Sequence, residues 1–152
     1  MIDIARCFTY AYSDGSKDDF FQAVTADAAS TNIIDLDKAG INISNARGPF
    51  LIVRVGDVAF ATTVSINIRV QTDSASGFTT TLRDIMQVRP ALAALTAGAL
   101  IINQALPVLT LQRYLRLYFD VFTSASAGEF IAYIASGPET HVTDFDQVEA
   151  AS

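Results

Sequence analysis

The chain has 152 residues, 51% of them apolar and only 17% charged, with a net charge of −6 and a mean hydropathy of +0.33. That length suffices for one domain with a core of its own, and a single cysteine, Cys7, excludes an internal disulfide framework. Two lysines and no basic run exclude the clustered cations that nucleic-acid binding requires, while so apolar a chain points to an assembly whose contacts hide the surplus surface.

The opening Met1-Ile-Asp-Ile4 places an acid where an export leader would carry bases, so no signal peptide is expected. Phe8, Tyr10 and Tyr12 alternate in Phe-Thr-Tyr-Ala-Tyr, which reads as a strand or as an arm laid on a neighbour. Cys7, with no histidine near it in sequence, reads as an inert small apolar residue. Ser13 to Asp19 is rich in turn residues, so residues 1–18 are taken as an N-terminal arm and loop. Asp14, Ser16 and Asp18 resemble the start of a calcium loop, but Asp19 and Thr25 stand where a glycine and a bidentate acid are required.

Residues 19–136 read as a series of short strands. Thr31–Leu36 is a candidate, after the small polar stretch Ala26–Ser30. Asp37–Gly48 is a loop with a brief edge strand at Ile41–Ile43; its Asn42-Ile-Ser44 matches the glycosylation triplet, which without a leader is a chance match. Phe50–Val55 is apolar nearly throughout, as in a strand buried on both faces. Val64, Ile66, Ile68 and Val70 alternate with Ser65, Asn67 and Arg69, the pattern of a strand with one face inward. Gln71–Gly77 is a polar loop. Phe78–Arg89 gives two short extended pieces, with Thr79-Thr80-Thr81 favouring strand. Leu92–Thr96 has helical propensity, but Pro90 and Gly98 leave little room for a helix. The run from Ala91 to Ile102 is too short to span a bilayer, which takes about 18 apolar residues or more. Ala99–Leu106 is a further strand.

Arg113-Tyr-Leu-Arg-Leu-Tyr-Phe-Asp-Val-Phe122 carries the fullest alternation. Leu115, Leu117, Phe119 and Val121 fall on one side, as a core row. Tyr114, Arg116, Tyr118, Asp120 and Phe122 fall on the other. Gly128–Ala135 is the last strand, with Phe130, Ala132 and Ile134 on one face, and residues 137–152 form an acidic tail. Residues 1–116 hold ten acids and ten bases; beyond Arg116 come six acids and no base. Arg113 and Arg116 are then the nearest partners for Asp120, Glu129 or a neighbouring subunit's tail. About eight short strands separated by turn residues, with almost no helix, predict an all-β fold: an antiparallel β-sandwich of jelly-roll type in a single domain.

Catalytic grammar is missing. His141 with Asp144 could act as an acid–base pair, but no marked nucleophile accompanies them. One histidine and one cysteine do not supply a metal site, and the glycines are scattered at turns rather than gathered in a phosphate loop. No enzyme activity, metal or cofactor is expected.

Two stretches carry a resemblance. Ala29-Ser-Thr-Asn-Ile-Ile-Asp-Leu36 and Arg113-Tyr-Leu-Arg-Leu-Tyr118 together resemble the small capsid cement (decoration) proteins of tailed bacteriophages. The aromatic N-terminal segment, Arg69-Val-Gln-Thr72, the proline before the Arg113 strand and the glycine-initiated last strand fit the same plan. The similarity covers residues 20–136; a longer N-terminal segment and an acidic tail depart from it. The resemblance implies a jelly-roll homotrimer on the outer capsid surface of the virion, made in the host cytoplasm. Its partners would be the major capsid protein and other copies of itself, with no nucleic acid and no membrane. Phe8, Tyr10, Tyr12, Arg113, Arg116, Asp144 and Asp146 are the expected interface residues. The alternative is a carbohydrate- or receptor-binding β-sandwich module with Tyr114, Tyr118 and Tyr133 as its sugar platform.

Overall fold

The computed structural model describes residues 6–11, 17–37, 49–61, 65–107 and 110–137. Among these the regular structure is strand, with 3-10 turns at Lys17–Phe20 and Leu92–Ala94 and no α-helix. The strands are β1 (Gln22–Ala23), β2 (Ala28–Ala29), β3 (Ile34–Asp35), β4 (Phe50–Val55), β5 (Ile66–Asp73), β6 (Arg83–Val88), β7 (Leu100–Ala105), β8 (Tyr114–Val121) and β9 (Glu129–Ala135). They form two antiparallel sheets, as the alternation predicts. One runs β1-β9-β4-β7; the other runs β2-β8-β5-β6, with β3 also on β8. The pairing is nested: β5 meets β6, β4 meets β7, β2 and β3 meet β8, and β1 meets β9.

The interior is built by the inward rows. Leu115, Leu117 and Phe119 of β8 face Leu51, Val53 and Val55 of β4 and Phe130 and Ala132 of β9 in one core cluster, all fully buried. Val121, expected in the same row, only packs against its edge. β4 is buried on both faces, since Ile52 is fully covered and Arg54 nearly so. Phe119 stacks on Phe130 across the sheets at 5.3 Å between ring centroids, and Phe60 lies 4.7 Å from Phe130. Gly128 admits Phe60: its φ is +135°, and a Cβ there would run into the Phe60 ring.

Three expectations are corrected. β5 does not end at Val70 but continues through Gln71, Thr72 and Asp73, which are buried, where a polar loop is predicted. Partners explain it: the Thr72 hydroxyl donates to the Tyr114 carbonyl at 3.0 Å and accepts from the Gln112 amide at 2.8 Å. Only Arg83–Val88 is strand in the Phe78–Arg89 region; Thr79-Thr80-Thr81 caps a loop instead, and Phe78 is a buried anchor with φ +52°. Third, Cys7, Phe8 and Thr9, expected as a strand or as an arm laid on a neighbour, are held on the chain's own sandwich. Phe8 donates its amide to the Ala132 carbonyl at 2.8 Å, Cys7 bridges to Tyr133, and the Asn32 amide donates to the Phe8 carbonyl at 2.7 Å. This short piece ties β9 of one sheet to the approach to β3 of the other. The predicted edge strand Ile41–Ile43, Val64 and the tail from residue 138 lie outside the described residues.

Candidate functional site

The two stretches that carry the resemblance are partners in space. Ile34 and Asp35 pair with Leu115 and Tyr114, and Ala29 pairs with Tyr118. Ser30 closes the unit: its amide donates to the Leu117 carbonyl at 2.8 Å, and its hydroxyl accepts from the Leu117 amide at 3.0 Å. Asn32 donates its side-chain amide to the Cys7 carbonyl at 2.8 Å. The motif residues thus fasten the N-terminal piece and β3 onto β8.

The outer face of the β8–β5–β6 sheet carries the polar rows of these strands. Cα pairs Asn67–Asp120, Arg69–Tyr118 and Gln71–Arg116 set them side by side. Arg69 stands between two acids, donating to Asp84 at 3.0 Å and to Asp120 at 2.9 Å. Its Nε lies 2.8 Å from Asp120 Oδ2 as an ion-pair contact without hydrogen-bond alignment. Burial alone would lower the Arg69 pKa; the two carboxylates outweigh it and hold it raised. Arg116 donates to Gln71 at 2.7 Å and lies over the Phe78 ring at 4.3 Å, where burial draws its pKa down. Arg113 donates to both oxygens of Asp35 at 3.1 and 2.9 Å and comes within 3.3 Å of Asp37, which raises its pKa. With Arg113 45% exposed, solvent screens that pair and it adds little to stability. On this side Arg69 and Arg113 are ion-paired, while Arg116 is held by a neutral amide and aromatic rings.

The expected site residues separate. Phe8 is fully buried in the core and offers no surface to a partner. Tyr10 is half-buried, its ring 5.1 Å from that of Phe20. Tyr12, Asp144 and Asp146, with His141, lie outside the described residues. Arg113 and Arg116 do not meet Asp120 or Glu129: Asp120 is held by Arg69 and Asn67, and Glu129 accepts from the Val58 amide at 3.0 Å. The three tyrosines of the sugar platform do not assemble either. Tyr114 and Tyr118 are on β8 and Tyr133 is on β9 of the other sheet, while Arg113 covers Tyr114 at 5.1 Å and Arg69 covers Tyr118 at 5.0 Å. Cys7 is buried, and burial pushes its thiol up from the ordinary value, away from nucleophilic use.

At one end of the sandwich the connections after β4, β6 and β8 are knitted together. Phe60 donates to the Leu95 carbonyl at 3.2 Å, Gly98 to Gly56 at 3.1 Å, Ala61 to Ala127 at 3.2 Å and Phe122 to Ser65 at 2.9 Å. Leu95 is the buried anchor of this end. Val58, Leu92, Leu100 and Phe122 around it are 47, 43, 41 and 58% exposed. Ala91, Ala93, Ala94 and Ala97 are exposed beside them. The sequence carries a sign of this that period-two reading passes over: no charged residue occurs between Arg89 and Arg113.

A family model described as Bbp16 matches residues 20–134 of the chain. No curated protein matches it.

Proposed function

The chain belongs to the Bbp16 family, and from that premise we propose that it is a structural protein of a tailed-phage particle. It is a jelly-roll cement protein, a homotrimer on the outer capsid surface that binds major capsid subunits and holds neighbours together. It works without catalysis or cofactor. The observation that carries this reading is a coincidence of span. The family match over residues 20–134 takes in the sandwich from β1 into β9, and the same stretch bears the resemblance to cement proteins. Nested pairing of early with late strands supports the jelly-roll description. A staple works through many weak contacts repeated by symmetry rather than one strong site, which suits a molecule whose Arg69 and Arg113 are already paired within it.

The test is addition of purified protein to expanded, undecorated capsids. Association and a higher capsid melting temperature are expected. No association with heads, together with binding on a glycan array, would transfer the function to the carbohydrate module, despite its dispersed tyrosines.

A further inference from the structure

We infer that the apolar loop end around Leu95 is the surface that seats on the capsid, and that its partner is an apolar protein surface of the shell. The inference rests on the cement reading and names its contact.

The other surfaces offer less. Ile52, Arg54 and Ile131 on the outer side of the β4–β9 sheet are already buried. The outer side of the β8–β5 sheet spends its charges within the lattice of Arg69, Asp84 and Asp120. Among the described residues, the opposite end carries the polar loop wound about Asp73. Four of the six large apolar side chains exposed among the described residues, Val58, Leu92, Leu100 and Phe122, lie at the loop end. Charges bordering it are engaged within the molecule. Arg54 donates to the Gly98 carbonyl at 2.9 Å, Arg89 donates to Ser65 at 2.9 Å and covers Phe122 at 4.7 Å, Asp27 accepts from the Val121 amide at 2.7 Å, and Glu129 accepts from Val58. Asp57 is engaged as well.

Val58, Leu92, Leu100 and Phe122 with the exposed alanines make an apolar centre that an apolar partner complements, because a charged group laid on it would be desolvated without compensation. Leu95 and the backbone bonds hold these loops in place, so little ordering cost falls on docking. A bilayer fits less well: the chain carries net charge −6, and Arg54 and Arg89, the bases at this end, are engaged within the molecule.

Leu92→Asp and Phe122→Asp put a charge on exposed positions of this end, and Leu82→Asp makes the same change at the start of β6, at the far end, where Leu82 is 44% exposed. All three are expected to keep wild-type circular dichroism and thermal unfolding. Leu82→Asp should decorate capsids as wild type does, whereas Leu92→Asp and Phe122→Asp should need at least tenfold more protein for half-decoration. End variants that bind as wild type does would overturn the inference and leave the cement reading standing. A wild type that does not bind heads would overturn both. Two further results would overturn the inference alone. One is loss of self-association by the end variants, seen by size-exclusion with light scattering, which makes the end an interface between copies. The other is flotation of wild type, but not of the variants, with phosphatidylcholine–phosphatidylglycerol vesicles, which makes it a lipid contact.

Discussion

Asp73 is a buried carboxylate whose surroundings decide its charge. Burial by itself raises its pKa, but the amides of Ala75, Thr81 and Thr80 and the Thr81 hydroxyl all donate to it and hold it down at about 2, from an ordinary 3.8. The ion therefore organises the loop from Ser74 to Thr81. A carboxylate with a lowered folded-state pKa adds stability above its ordinary pKa and loses it as pH falls through the folded value. Here that window runs from about 4 down to about 2. Asp73→Asn cannot accept the same set of donors and should be less stable than wild type at pH 7. The gap between their urea midpoints should shrink as pH falls through the window. A gap that stays constant down to pH 2 would mean that the charge of Asp73 does not hold the loop. Arg113 is the contrasting case: its ion pair with Asp35 is geometrically good yet half in solvent, so it orients β3 more than it stabilises the fold.

Among the elements, β8 joins the most. It pairs with β5 along its whole length and with β2 and β3 on its other edge. Its inward row was legible because Leu115, Leu117 and Phe119 alternate with polar groups, and a period of two has one structural meaning when it lasts this long. Leu117 is fully buried at the centre of that row. Leu117→Asp should abolish cooperative folding by burying an unpaired charge, and Leu117→Ala should cost about 2–5 kcal/mol in chemical denaturation. A soluble, cooperatively unfolding Leu117→Asp protein would show the row to be on the wrong face. What alternation could not reveal was where polar residues would be satisfied. Gln71, Thr72 and Asp73 look like loop by composition, and they are strand because Arg116 and Tyr114 supply partners from far along the chain and the 74–81 loop folds back on Asp73. Phe8 failed for the same reason in reverse: an aromatic alternation near a terminus does not disclose that Asn32 and Ala132 will hold it in the core. The loop end escaped because its mark is a long absence of charge, which belongs to neither the helical nor the strand period.

On the scale of the whole molecule, the proposed docking on a capsid has two routes to choose between. Six acids and no base follow Arg116, so an electrostatic route would run through the acidic end of the sequence to a basic patch. An apolar route runs through Val58, Leu92, Leu100 and Phe122. Salt separates them. Screening shortens from about 10 Å at 0.1 M to about 3 Å at 1 M, so an electrostatic attachment between exposed charges weakens steeply over that range. Burial of uncharged apolar surface does not depend on such screening, and well-excluded salts such as sulfate strengthen it. Decoration of expanded capsids, read as protein co-sedimenting with heads, should therefore hold or rise between 0.1 M and 1 M sodium chloride and rise further in sodium sulfate. A fall of tenfold or more in half-saturation would assign the docking to the acidic residues instead. It would leave the apolar end to some other contact, because the same surface cannot be both uncharged and salt-labile.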